Sequence, residues 1–306
     1  MKTLARLLSF VALLLCFSTA WAGETAYSTT ASTASRSEPA RDLIRLESSY
    51  VFSSELENRF SQFADDDEQD AFHASIEYSH RFLLGGKIYL RLGVAYGHFE
   101  FGETDAPVPD QLFSIAGIVG LEYMVGNDVG AFLYLRPGYY TEDHIGISSF
   151  DIPITVGRAF VLQEDRLFFI LGANAAGLRG QFPVLPIVGL IWKPSEQWSF
   201  FLVPPEPRVT YSPTKNIGIY AGGQLVGGSF RTDRDPTIFP QKLSNAQVDY
   251  SEYRAGVGID FRCSDSISVN VGGGYAFQRR FNFERADEEF ETDPAPYVRV
   301  GLKADF

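Results

Sequence analysis

The chain has little sulfur, little positive charge and no long apolar run. Its 306 residues include two cysteines and two methionines. Cys16 lies in the N-terminal leader, so only Cys263 remains once the leader is removed, and no internal disulfide can form. Lys and Arg number 26 against 38 Asp and Glu, a net charge of −12. So acidic a chain argues against nucleic acid or an anionic surface as partner. The longest nearly apolar stretches of the body, Leu167 to Leu178 and Phe182 to Trp192, are about half the ~20 residues a membrane helix needs. No zinc spacing, Walker loop or dinucleotide fingerprint occurs, so no metal or other cofactor is expected.

What is present begins with the leader. Lys2 and Arg6 precede an apolar stretch from Leu7 to Phe17 broken only by Ser9, and Ala20-Trp21-Ala22 offers a small-x-small cleavage site. This is the layout of a secretory signal peptide over residues 1–22. Leu15 makes Cys16 a poor lipoprotein anchor. Removal leaves 24 basic against 38 acidic residues, net −14. Residues 23–40 are dominated by Ser, Thr and Ala and read as a disordered tail.

From residue 41 to 306 period-two alternation takes over. Ile44, Leu46, Tyr50 and Phe52 alternate with Arg45, Glu47 and Ser49, and Phe72, Ala74, Ile76 and Tyr78 with His73, Ser75, Glu77 and Ser79. Ile88 to Tyr96 and Ile267 to Arg280 repeat the pattern. Short connections centred on Gly85-Gly86, Asn127-Asp128, Gln163-Glu164, Pro194-Ser195, Thr214-Lys215 and Ser264-Asp265 alternate with long ones such as Ser53 to Ala71 and Thr232 to Gln247. Outward aromatics gather at strand ends. Phe82, Tyr123, Trp192, Trp198, Phe261 and Phe306 lie beside short turns or the chain end; Tyr50, Tyr96, Tyr139, Tyr253 and Tyr275 lie towards the long connections. A soluble sandwich also alternates, but two aromatic girdles and this rhythm predict an all-β, closed antiparallel transmembrane β-barrel. Six short and seven long connections imply fourteen strands. The alternative is twelve plus a short hairpin, because Pro204, Pro205 and Pro207 interrupt the stretch from Trp198 to Pro213 and proline cannot donate to a ladder.

The last segment carries a resemblance. Val298, Val300, Leu302, Ala304 and Phe306 alternate with Arg299, Gly301, Lys303 and Asp305. This resembles the C-terminal strand of bacterial outer-membrane β-barrels, in which the terminal Phe is an assembly signal. The resemblance implies an outer-membrane location, contact with membrane lipid and lipopolysaccharide, recognition of Phe306 by the barrel-assembly machinery, and a monomer. The stretches Trp198 to Arg231 and Gly274 to Arg280 are similar to a family of predicted bacterial barrels with no assigned function, which supplies no catalytic residues. In size the chain resembles small monomeric porins.

Several constellations are candidates for function. Glu77, Arg91, Glu122, Arg136, Glu252, Arg254 and Arg280 fall on the luminal side of their strands and are the pore-lining candidates. Opposite charges there either brace a filled barrel or line a wet pore; a barrel of twelve or fourteen strands lies between filled and open types. His73 and Ser75 have the His-x-Ser spacing of outer-membrane lipid esterases, but alternation sends them into the lumen, away from lipid. Phe132, Tyr134, Phe168 and Ile170 form an apolar luminal patch that either contacts a hydrophobic solute or, the better reading, is covered by the Pro-rich hairpin or the tail. The acidic runs Asp65-Asp66-Asp67-Glu68 and Asp287-Glu288-Glu289 lack EF-hand spacing and read as solvated loops. The leading expectation is a passive pore for small polar solutes. Its rivals are a closed structural or surface-interaction barrel and, third, a lipid esterase.

Overall fold

The computed structural model describes residues 40–58, 67–125, 128–180 and 182–306. The expected signal peptide, the tail up to residue 39, Asp65, Asp66 and Asn127 lie outside them. No helix among the described residues is long and apolar enough to cross a membrane.

The strands are β1 (Asp42–Asn58), β2 (Asp67–Gly85), β3 (Ile88–Phe101), β4 (Gln111–Val125), β5 (Asp128–Leu135 with Gly138–Thr141), β6 (Phe150–Asp151 with Ile154–Gln163) and β7 (Leu167–Ala175). They continue as β8 (Val184–Trp192), β9 (Trp198–Leu202), β10 (Arg208–Thr214), β11 (Ile217–Arg231), β12 (Gln247–Arg262), β13 (Ile267–Phe283) and β14 (Glu288–Thr292 with Ala295–Asp305). Each pairs antiparallel with its sequence neighbour, and β14 returns to β1 in register from Leu43↔Asp305 to Val51↔Tyr297. The sheet is therefore a closed barrel of fourteen strands. The breaks inside β5, β6 and β14 each contain a proline (Pro137, Pro153, Pro294), where the ladder loses a donor. The Pro-rich pair β9–β10 belongs to the wall but is short, five and seven residues against the ~9–11 that span a bilayer.

Alternation sorts the side chains as expected. Ile76 and Val94 are 46% and 60% exposed, while their neighbours Glu77 and Ala95 are 7% and 6%. Outward Ile115, Val119, Leu121, Val257, Ile259, Val271, Val298 and Val300 continue a belt around the barrel. A water-soluble protein rarely shows apolar area on this scale, so the barrel spans a membrane. Phe82, Tyr123, Trp192, Trp198, Phe261 and Phe306 are exposed at the end with short turns, and Tyr96 and Tyr275 towards the loops. Tyr50, Tyr139 and Tyr253 are half-buried.

Two expectations change. The connection assigned to Ser53–Ala71 is mostly ladder, since β1 runs on to Asn58 and β2 begins at Asp67. Asp67, Glu68, Glu288, Glu289 and Glu291 thus lie on strands and not in loops. Cross-strand pairing carries these strands beyond the apolar belt, with Leu56↔Thr292 and Asn58↔Phe290 in register. Inside the loop end sits a cluster of Phe99, Phe101, Phe230, Tyr250, Phe281, Phe283 and Phe290 with Val51, Leu56 and Leu112. Ring centroids at 4.9–5.1 Å join Phe99 to Tyr250, Tyr250 to Phe101 and Phe101 to Phe281.

If the closed ladder is right, the refolded protein runs faster on a gel unheated than boiled. A product that stays soluble without detergent and shows no heat shift would refute the fold.

Candidate functional site

The inner faces of the strands enclose a cavity of about 1910 Å³. It opens at the turn end, where Glu164, Lys193, Ser195 and Asp265 line it, and rises to Phe99, Tyr140 and Phe230. There the aromatic cluster stops it. Arg45, Glu47, Arg208, Asp260, Lys303 and Asp305 bring both charge signs to its wall.

Luminal charges are paired, across strands or two positions apart on one strand. Glu122 Oε1 accepts from Arg91 Nε at 2.6 Å and from the Tyr134 hydroxyl, and Arg81 Nε forms an ion pair with Oε2 at 2.6 Å. Arg91 also donates to Ser79 Oγ at 2.8 Å. Arg136 Nη2 meets Glu77 Oε2 at 2.7 Å. Arg254 grips Glu252 with two donors, at 2.6 and 3.0 Å, and donates to Ser49 at 2.9 Å. Of the pore-lining candidates, Glu77 and Arg136 line the cavity; Arg91, Glu122, Glu252 and Arg254 are buried in pairs that do not. Arg280 does not line it either. The ladder slips by one residue where Arg254 pairs with Ala276 and Tyr253 with Gln278. This bulge turns Arg279 inward, 1% exposed, and Arg280 to the other face, where it meets Glu291 at 2.6 Å and Glu289 at 3.2 Å.

The Pro-rich hairpin tip reaches into the lumen. Glu206 Oε1 lies 2.5 Å from Arg299 Nη2 on β14. The carbonyls of Pro207 and Pro205 accept from the N–H groups of Gly223 and Leu225 at 2.9 and 2.8 Å. Val203 is fully buried with Ile170, Leu185, Ile187 and Ile191. It fits because Gly189 has no side chain: a Cβ there would stand 2.7 Å from Val203. The apolar patch around Phe168 and Ile170 is thus covered by the hairpin.

His73 and Ser75 both face the cavity. The His73 ring stacks on Phe99 at 4.4 Å, and its Nδ1 has no hydrogen-bond partner. No bond links the imidazole to the Ser75 hydroxyl, so the base–nucleophile contact of a hydrolase is missing from this geometry. Outside the barrel, Asp143, His144 and Asp233 offer three ligand atoms within 4.8 Å of one another. The sequence pattern gave no sign of this group, because Asp233 stands about ninety positions along the chain from its partners. It joins two loops: His144 Nδ1 lies 2.5 Å from Asp233 Oδ2, and Asp233 N donates to Glu142 at 2.7 Å.

Residues 88–305 match a family described as a domain of unknown function, DUF6268. The chain belongs to that family. In this DUF6268 barrel the match begins at β3, and β1 and β2 complete the ring. No curated protein matches the chain. Among solved structures it is similar to the COG4313 outer membrane channel from Pseudomonas putida F1, at 11% identity over 92% of this chain and 100% of that one, TM-score 0.47. The Pseudomonas putida toluene transporter TodX has 10% identity over 95% of each chain, TM-score 0.46. The translocator domain of the autotransporter NalP from Neisseria meningitidis has 11% identity over 89% of this chain and 90% of that one, TM-score 0.37. All three scores lie under 0.5, so these likenesses say nothing of what the DUF6268 barrel does.

Two outcomes follow from the charges. Glu122→Ala strands Arg81 and Arg91 without their shared counter-charge, and losing one partner of a buried pair costs about 3–5 kcal/mol. Urea unfolding of the refolded barrel should show that loss. The Asp233 hydrogen bond, then the charges of Asp233 and Asp143, raise the pKa of His144 above 6.5. A raised pKa means the contact is fully present below the free imidazole's pKa and is lost as pH rises through the folded value. Protection factors for hydrogen exchange of residues 142–149 should therefore fall as pH rises above 6.5, a fall that His144→Ala abolishes.

Proposed function

We propose that this barrel is a passive outer-membrane channel whose cargo is small polar solutes. The observation that carries the reading is the size and lining of the lumen. Pockets for one small ligand measure roughly 300–1,000 Å³, and this cavity of about 1910 Å³ exceeds them. Its wall of Arg45, Glu47, Arg208, Asp260, Lys303 and Asp305 suits water and ions. Short turns face the periplasm in barrels of this kind, so the open end of the lumen is periplasmic and the aromatic cluster guards the outer mouth. Passage then requires those rings to part. The apolar belt meets outer-membrane lipid, with lipopolysaccharide at its loop end. Phe306, 55% exposed beside the β1–β14 closure, is the group the assembly machinery reads.

A second reading, a closed structural barrel, is favoured by that same cluster and by the buried ion pairs. Planar-bilayer recording separates the two. A channel gives stepwise conductance, and Lys303→Glu on the luminal wall shifts its reversal potential towards cation selectivity, more strongly at low salt where screening is weak. A silent bilayer from protein that shows its heat shift sinks the channel and leaves the structural barrel.

A further inference from the structure

Among the described residues, neighbouring strands are laddered along the wall except along one seam. β8 pairs with β9 only at Leu190↔Leu202, Ile191↔Phe201 and Trp192↔Phe200. β10 accompanies β11 no further than Arg208↔Gly222, and the hairpin tip adds bonds at Gly223 and Leu225. Above that, among the described residues, Val184–Gly189 of β8 is laddered to β7 alone. Val226–Phe230 of β11 is laddered to β12 alone, and the gap ends where Arg231 meets Thr141 of β5. Pro186 fits this arrangement, because proline is tolerated within a strand only along an edge.

The seam lies at membrane depth. At ~3.3 Å per residue and ~40° tilt, Gly189 to Val184 stand roughly 8 to 20 Å above the level of Trp192, inside the ~25 Å apolar band. No charged residue occurs on β8 or on β11 before Arg231. Val184 and Val188 continue the lipid belt on one side. On the other, no residue from Gly222 to Arg231 is exposed, and the cavity touches β11 at each position from Gln224 to Phe230. Leu225 packs on the Val203 cluster. Apolar contact, with no ladder, is what closes the wall here. Open sheet edges are not stable against hydrocarbon; these edges sit between lipid and lumen and can part without breaking a main-chain hydrogen bond.

We propose that the seam is a lateral door through which an uncharged, lipid-soluble molecule passes between the outer leaflet and the lumen. The proposal rests on the channel reading and widens its cargo: the aromatic cluster bars the axial route, and the seam offers an apolar one. The occupant is a bilayer-dissolved solute. A strand from a second copy is the competing occupant.

The test uses the full refolded chain in proteoliposomes with an aryl diazirine that partitions into the bilayer, and glutathione in the water phase to scavenge reagent in the lumen. After photolysis, peptide mapping should find the Leu225–Phe230 segment labelled several-fold above the luminal Ala95–Phe99 segment, with Val257 marking the level of full lipid contact. Leu225→Asp, checked for folding by its heat shift, should lower that labelling to the luminal level and leave Val257 unchanged. Conductance is recorded separately. A conducting barrel with Leu225–Phe230 at background overturns the door and spares the channel. Labelled β11 in a barrel that never conducts supports the door and sinks the axial channel. Background labelling with a dimer on unheated gels overturns the door in favour of strand pairing between copies.

Discussion

Hydrocarbon supplies no hydrogen bonds, so every main-chain N–H and C=O at membrane depth has to find its partner within the chain. That constraint sets the architecture. It forces the last strand back onto the first, and the Phe306 carbonyl accepts from the N–H groups of both Arg41 and Asp42. It limits where proline can stand: at or beside the breaks in β5, β6 and β14, in the hairpin tip, at the turn end of β10 at Pro213, and on the free edge of β8 at Pro186. Among the described residues, the stretch of wall without ladder bonds is bordered by the apolar cluster on which Leu225 packs.

The second constraint acts on charge. A guanidinium inside a barrel is stable when paired or wet, and the lumen uses both solutions. Near the turn end of β4 Glu122 serves two arginines, and Glu77–Arg136 and Glu252–Arg254 are locked pairs. Towards the turn end Arg45 and the Lys303–Asp305 pair, 3.5 Å apart, also line the cavity. Bracing and solvation therefore coexist in one lumen, and which of them governs a residue depends on how many neighbours close around it.

Much of this was legible in the sequence. The inward or outward assignment of Ile76 and Glu77, or of Val94 and Ala95, needs only period two, and the short turns need only Gly, Pro, Asn and Asp between alternating runs. Phase was harder to read. A bulge adds one residue without altering composition, so Arg279 and Arg280 exchange faces with no local signal. The Glu206–Arg299 and His144–Asp233 contacts were hidden for another reason: they join segments about ninety residues apart, brought together only by closure of the ring. Strand ends beyond the belt were taken for loops because water wets both faces there and alternation loses its meaning.

The aromatic cluster has an electrical consequence. On the channel reading, solution in the lumen below it sits at nearly the potential of the compartment it opens into. Above it, solvated strand ends sit at the potential outside. Any voltage across the membrane therefore falls not over the bilayer's full depth but over a layer of seven rings, where the field is correspondingly steep. Tyr134 and the Glu122 pairs lie beneath that layer, while Phe99, Tyr250 and Phe281 stand within it as the protein's dielectric and the Tyr250 hydroxyl, on Glu252 at 3.1 Å, ties the Glu252–Arg254 pair to its edge.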